Sequence, residues 1–201
     1  MLTSRFDDAL LYASHVHGGH IRKGTKIPYL THLLGVAALV LEDGGGEDEA
    51  IAGLLHDAPE DRGGCERLDD IRVRFGEHVA TIVESCTDTF ETPKPPFFPR
   101  KRKHIRRLRE HAGADVFRVT AADKLNNARA ILTDFRKHGD ELFDRFNAKK
   151  SGTLWYYACM VNVLRERFPS ALTEELERVV VETRRLAAPD LAWQKSEDED
   201  P

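Results

Sequence analysis

Leu54-Leu55-His56-Asp57-Ala58-Pro59-Glu60-Asp61 closes an apolar run and sets an adjacent His-Asp pair just before an adjacent Glu-Asp pair. If residues 47–61 are helical, the four polar side chains span an arc of roughly 140°, a single face, at 100° per residue. Groups that resist desolvation need partners when an apolar run carries them inward, and one divalent cation can serve several of them. One nitrogen and one oxygen donor suit a hard-to-borderline ion better than a thiolate-seeking one. Glu60 and Asp61, about one turn further on, would then stand beside that ion, where a carboxylate can hold or deprotonate a water. A solvated acidic helix end carrying a chance His-Asp doublet fits the same residues. The choice depends on whether other segments supply the missing ligands.

At 201 residues the chain is long enough for one sizeable domain and short for two. Apolar residues at 41% and charged ones at 32% describe a globular protein, not a disordered one. No apolar run approaches the ~18 residues of a membrane span, and Met1–Asp8 lacks the basic and apolar regions of a secretion signal. Cys65, Cys86 and Cys159 are odd in number and far apart, which argues against a disulfide framework or a zinc knuckle. A cytoplasmic protein with free thiols and no membrane partner is expected. The net charge of −4 argues against a general nucleic-acid binder.

In chain order, Ser4 can cap a first helix with Phe6, Ala9, Leu10, Ala13 and Val16 as its apolar stripe, ended by Gly18-Gly19. A basic loop, Ile21 to Tyr29, precedes a buried helix from Thr31 to Glu42 with His32 in its first turn. Gly44-Gly45-Gly46 breaks it from the helix that carries the His-Asp pair, in whose last turn Pro59 should produce a kink or an end. Two short helices follow, Leu68–Phe75 and Glu77–Cys86, parted by Gly76. Residues 88–99, with four prolines, read as the longest loop. From Arg100 to Arg109 seven of ten positions are Lys or Arg. A long helix over Val116–Arg136 carries Asp123, and amphipathic segments over 151–167 and 171–187 complete the fold. No stretch alternates with the period of a strand. The expectation is an all-α helical bundle, one domain over residues 1–190, followed by an acidic, disordered tail over 191–201.

His32 and Asp123 are the candidate remaining ligands. Each alone is as readily a satisfied core histidine or a helix-capping aspartate. Their order around the doublet, H…HD…D across three helices, is the ligand set of the HD phosphohydrolase superfamily, which this sequence resembles. The resemblance extends to the hydrolase domain of Rel/Spo-type alarmone enzymes and their hydrolase-only metazoan SpoT homologues. His17-x-Gly19-His20-x-Arg22-Lys23-Gly24-x-x-x-Pro28-Tyr29-x-x-His32 is similar to their A-H-x-G-Q-x-R-K…P-Y-x-x-H opening. Leu54-Leu55-His56-Asp57-x-x-Glu60-Asp61 is similar to L-L-H-D-x-x-E-D. Leu68-x-Asp70-Ile71-x-x-x-Phe75-Gly76-x-x-Val79 matches the following segment, and Ala122-Asp123-Lys124-Leu125-x-Asn127-x-Arg129 is similar to A-D-[RK]-L-x-N-x-R. The collinear match covers roughly residues 5–165.

The resemblance implies hydrolysis of the 3′-pyrophosphate of (p)ppGpp, giving GDP or GTP and pyrophosphate, without synthetase activity. It implies a Mn²⁺ or other divalent ion on His32, His56, Asp57 and Asp123, with Glu60 and Asp61 positioning and activating water. Arg22, Lys23, Tyr29, Asn127 and Arg129 fall where the family holds the nucleotide. Phosphoryl transfer also needs cations for the leaving pyrophosphate. The run Arg100-Lys101-Arg102-Lys103 could supply them, or could be a solvated helix face. The partner is thus a small nucleotide. The sequence is compatible with a homodimer and does not fix the oligomeric state.

Four departures from the family pattern lie near the nucleotide rather than the ligands. His20 replaces the usual Gln, Leu33 a Pro, Thr120 a Lys and Ala130 a Thr. They leave base identity open, so an adenine alarmone, (p)ppApp, competes as substrate. A general nucleotide phosphohydrolase, including NADPH 2′-dephosphorylation, is a further alternative. A non-enzymatic binding domain on the HD scaffold is disfavoured by the presence of every ligand and both acidic residues.

Overall fold

The computed structural model describes residues 1–190, so the acidic tail lies outside the described residues. Its elements are α1 (Ser4–Val16), α2 (Leu30–Glu42), α3 (Glu47–Leu55), α4 (Ala58–Asp61), α5 (Gly64–Phe75), α6 (Glu77–Cys86), α7 (Phe97–His111) and α8 (Ala114–His138). A 3-10 helix (Gly139–Arg145), α9 (Lys149–Arg167) and α10 (Ala171–Ala187) complete the chain. Among the described residues the only strand-like feature is an isolated antiparallel bridge between Ile21 and Pro28, which closes the basic loop. The all-α expectation therefore holds. No described helix is long and apolar enough to cross a membrane.

The chain forms two compact units. The first comprises residues 1–95 and 112–123, and α3 is its centre, packed against α1, α2 and α6. Ala50 to Leu55 are all buried, so the helix is apolar all round, as a central helix must be. Glu47, Asp48 and Glu49 fill its first turn, where the helix dipole favours carboxylates. Glu49 also accepts from the Gly46 backbone N–H at 2.6 Å. The α2–α3 turn is tight enough that a Cβ on Gly45 would sit 2.6 Å from Val40 Cγ1, so glycine is required there. Arg118, near the start of α8, pairs with Asp43 at 3.0 Å and with Glu49. This pins the α8 start against the α2–α3 turn.

The interruption expected at Pro59 is present, so residues 47–61 form two helices and not one. Pro59 has no N–H to give the Leu55 carbonyl, so the helical ladder is interrupted after Leu55. Pro59 then stands in the first turn of α4, where that donor would be unpaired in any case. His56 and Asp57 occupy the joint.

The second unit comprises residues 96–111 and, of those described, 124–190. Here α9 is central, against α7, α10 and the 3-10 helix. Trp155 is fully buried and meets Phe97 and Phe98 edge-on. Leu154, Trp155 and Tyr156 are thus core. Helix α7 begins inside the stretch expected to be loop, because Pro99 falls in its first turn, where proline is tolerated. Part of the basic run also packs on rings, with Lys101 Nζ 4.5 Å from the Tyr156 centroid and Arg102 5.5 Å from Trp155.

Candidate active site

Three helices deliver the four expected ligands to one place. His32 enters from the first turn of α2, His56 and Asp57 from the α3–α4 joint, and Asp123 from α8. His56 Nε2 lies 3.0 Å from Asp57 Oδ2 and 3.6 Å from Asp123 Oδ1. His32 Nε2 lies 3.5 Å from Asp57 Oδ2 and 3.3 Å from Asp123 Oδ1. Both imidazoles are buried, with centroids 5.3 Å apart and rings nearly perpendicular. Despite these distances, buried His56 Nε2 has no hydrogen-bond partner. Nitrogen and oxygen atoms that share a cation at ~2.0–2.2 Å are separated by roughly 3–3.5 Å. The residues fit a divalent ion.

The ring orientation is fixed from behind. His56 Nδ1 donates to the Gly53 carbonyl at 2.9 Å, which leaves Nε2 as the lone-pair nitrogen of the neutral ring. Burial opposes a charged His56, yet the carboxylates of Asp57 and Asp123 outweigh it and raise the imidazole well above its usual range. Burial likewise opposes a charged Asp57, but the two imidazoles hold it well below the usual carboxylate range.

Tyr29, which the resemblance places among the nucleotide contacts, directs its hydroxyl to Asp57 Oδ2. Burial, then the Asp57 charge, raises its phenol and keeps it a donor. Its ring stacks on His20, centroids 4.2 Å apart, and on His17 at 5.1 Å. Arg22 is half-buried and Lys23 exposed in the bridge-closed loop. Asn127 is half-buried one helical turn after Asp123, on the stretch of α8 that belongs to the second unit. Arg129 is exposed and reaches Glu175 at 3.4 Å.

The acidic pair divides. Glu60 accepts from Lys94 Nζ at 2.7 Å and from the Asp88 backbone N–H at 3.1 Å, so it anchors the 87–95 loop. Asp61 is raised to about 6 by burial, then by the charges of Asp57 and Glu60. A carboxyl group with that proton affinity is a competent base near neutral pH. Sequence reasoning missed Lys94 and His17, and treated His20 only as a departure from the family. Nothing local marks their approach to Glu60 and Asp61, which crosses 34 to 44 positions.

Buried imidazoles and carboxylates, converging at a helix joint within an all-α unit, define an HD-type site. The chain belongs to the HD-domain family, whose description, HD domain, matches residues 9–154; that domain implies a divalent metal. It is 37% identical over 127 residues to the guanosine-3′,5′-bis(diphosphate) 3′-pyrophosphohydrolase MESH1 of Xenopus tropicalis, covering 62% of this chain and 68% of that one. Against the human protein of the same name, identity is 34% over the same shares. A solved structure described as a metazoan orthologue of SpoT that hydrolyses ppGpp superposes with a TM-score of 0.75, covering 90% of this chain and 97% of that one at 22% identity.

Proposed function

We propose that this protein removes pyrophosphate from the 3′ position of a purine alarmone, (p)ppGpp or (p)ppApp, leaving the nucleoside 5′-di- or triphosphate. The observation that carries the reading is the convergence of His32, His56, Asp57 and Asp123 around a buried imidazole nitrogen without a hydrogen-bond partner. These four residues would hold the ion, with Mn²⁺ suited to two nitrogen and two oxygen donors. When bound, it supplies electrophilic stabilisation of phosphoryl charge.

The chain's own residues do the rest. Asp61 takes a proton from the attacking water, whose oxygen forms the new bond to phosphorus as the bond to the 3′ oxygen breaks, and that proton is passed on to the leaving 3′ oxygen. Glu60, held by Lys94 and the Asp88 N–H, keeps the α4 end in place beside it. Tyr29 fixes Asp57. Arg22 and Lys23 would bind the purine and its phosphates, with Asn127 and Arg129 as further nucleotide contacts. An arginine can stack on a base while donating hydrogen bonds. The names of the curated relatives support guanine, and the departures at Thr120 and Ala130 keep adenine in the comparison.

The test is a panel of ppGpp, ppApp, NADPH and GMP at equal concentration with Mn²⁺-loaded protein, products separated by chromatography. Pyrophosphate from either alarmone is expected. Orthophosphate from GMP or NADPH, with both alarmones intact, replaces the reading with a general phosphohydrolase.

A further inference from the structure

A second group of ligating side chains stands apart from the four residues above. His17, at the α1 C-cap, His20, in the turn that follows, and Asp61, at the end of α4, present one donor atom each, all within 4.8 Å of one another. His17 Nδ1 and His20 Nδ1 are 3.2 Å apart, and His20 Nδ1 is 3.8 Å from Asp61 Oδ2. The latter is too long for a hydrogen bond, so the carboxylate and imidazole are not closed on each other. The first distance lies near the ~3.3 Å that separates donors sharing a cation at ~2.0–2.2 Å, and the second is about 0.5 Å longer.

Two further observations point to a ligand. His17 is 3% exposed, and its Nδ1 meets the Nδ1 of His20, two ring nitrogens that can share only a proton or a cation between them. The ring planes of His17, His20 and Tyr29 are within 20° of parallel, so stacking on Tyr29 pre-orients both imidazoles. Asp61 is the most open of the three, leaving a path from solvent. Two imidazoles and one carboxylate are the donor set of open zinc sites, with positions left for water. The set contains too few oxygen donors for calcium or magnesium. Arg62 opposes a cation here, while Asp57 favours it.

We infer that His17, His20 and Asp61 form a second divalent-metal site, selective for Zn²⁺-like borderline ions and separate in ligands from the His32–His56–Asp57–Asp123 cluster. Tyr29 joins the two, its ring against the histidines and its hydroxyl on Asp57. An ion on Asp61 removes a proton acceptor. Where Asp61 is the catalytic base, as proposed above, excess Zn²⁺ therefore slows turnover, a consequence that can fail without touching the binding claim.

The test is metal stoichiometry on the full chain, stripped of metal and dialysed against Zn²⁺, with elemental analysis and a thermal melt for each variant. Wild type is expected to retain two ions. His20→Gln and Asp61→Asn should each retain one, and Asp123→Ala should lose the other. Stoichiometry unchanged by both His20→Gln and Asp61→Asn overturns the site, whatever Asp123→Ala does. Cobalt(II) titration of the unmodified protein gives a check that no folding defect can blur. A visible-absorbance plateau at two equivalents supports the second site, and a plateau at one overturns it.

Discussion

His56 turns its Nδ1–H onto the carbonyl of Gly53, three residues earlier and 2.9 Å away, so its Nε2 faces Asp57 and Asp123. Gly53 also sets the spacing of α2 and α3, since a Cβ there would lie 3.3 Å from Ala37 Cα and 3.4 Å from Ala37 N. Those are backbone atoms of α2, the helix that carries His32, and they yield only if the helix moves. Gly53→Ala gains helix propensity of about 1 kcal/mol against that crowding. The expected outcome is a thermal melt changed little but Mn²⁺ affinity lowered about tenfold, the scale expected when a group that orients a metal ligand is disturbed. Unaltered affinity by calorimetry would show that the α2–α3 spacing does not set the ligand geometry.

Asp123 holds its oxygen 3.3 Å from His32 Nε2 and 3.6 Å from His56 Nε2, so it faces both imidazoles at once. Asp123→Ala should lose the ion of this cluster and at least ~10²-fold in turnover, as electrostatic stabilisation of the reacting phosphoryl goes with it. Full Mn²⁺ occupancy in the purified variant removes Asp123 from the ligand set.

Glu60 and Asp61 should separate kinetically. Asp61→Asn is expected to lower kcat by roughly 10²–10⁴, the range for lost acid–base chemistry, with the melt preserved. Glu60→Gln should have a smaller effect, matched by Lys94→Ala, because Glu60 is tied to Lys94 and Asp88. The double variant should be no worse than either single one. Additive losses would show that Glu60 acts independently of Lys94.

Arg22→Lys should raise KM for the alarmone while sparing bound metal, because lysine keeps the charge but not the planar stacking surface. Unchanged KM in steady-state kinetics removes Arg22 from the nucleotide contacts.

His78 offers a pH test away from the site. Its Nε2 is 2.8 Å from Asp115 and its Nδ1 3.2 Å from Asp48, which joins α6 to the starts of α8 and α3. Hydrogen bonds to Asp115, then Asp48, raise the imidazole above its ordinary value, against burial. A raised folded-state value means the contribution is fully present below about pH 6.5, the unfolded value. It is lost as pH rises through the folded value. The side chain is 56% exposed, so solvent screening holds the effect to about 0.5–1 kcal/mol. Melts should show His78→Gln destabilised by about 1–4 °C at pH 6 and by less at pH 8. An equal deficit at both values would assign the effect to packing.

The sequence by itself determined the helices, because apolar spacing and glycine stops are local and the core accepts only one face of each. It put Gly76 between α5 and α6, and the structure places that glycine at φ 96°, a conformation side chains rarely adopt. It also ordered His32, His56, Asp57 and Asp123 through motif resemblance, although spacing alone left His32 and Asp123 as ordinary core or cap residues. Tertiary structure decided the rest. Pro59 announced a break locally, but packing decided that the resulting joint buries His56. Glu60 acquired Lys94 across 34 positions, and Tyr29 acquired contacts with Asp57 and the His17–His20 pair. Such contacts depend on packing between segments remote in the chain, and no local periodicity records which distant side chain fills a given space.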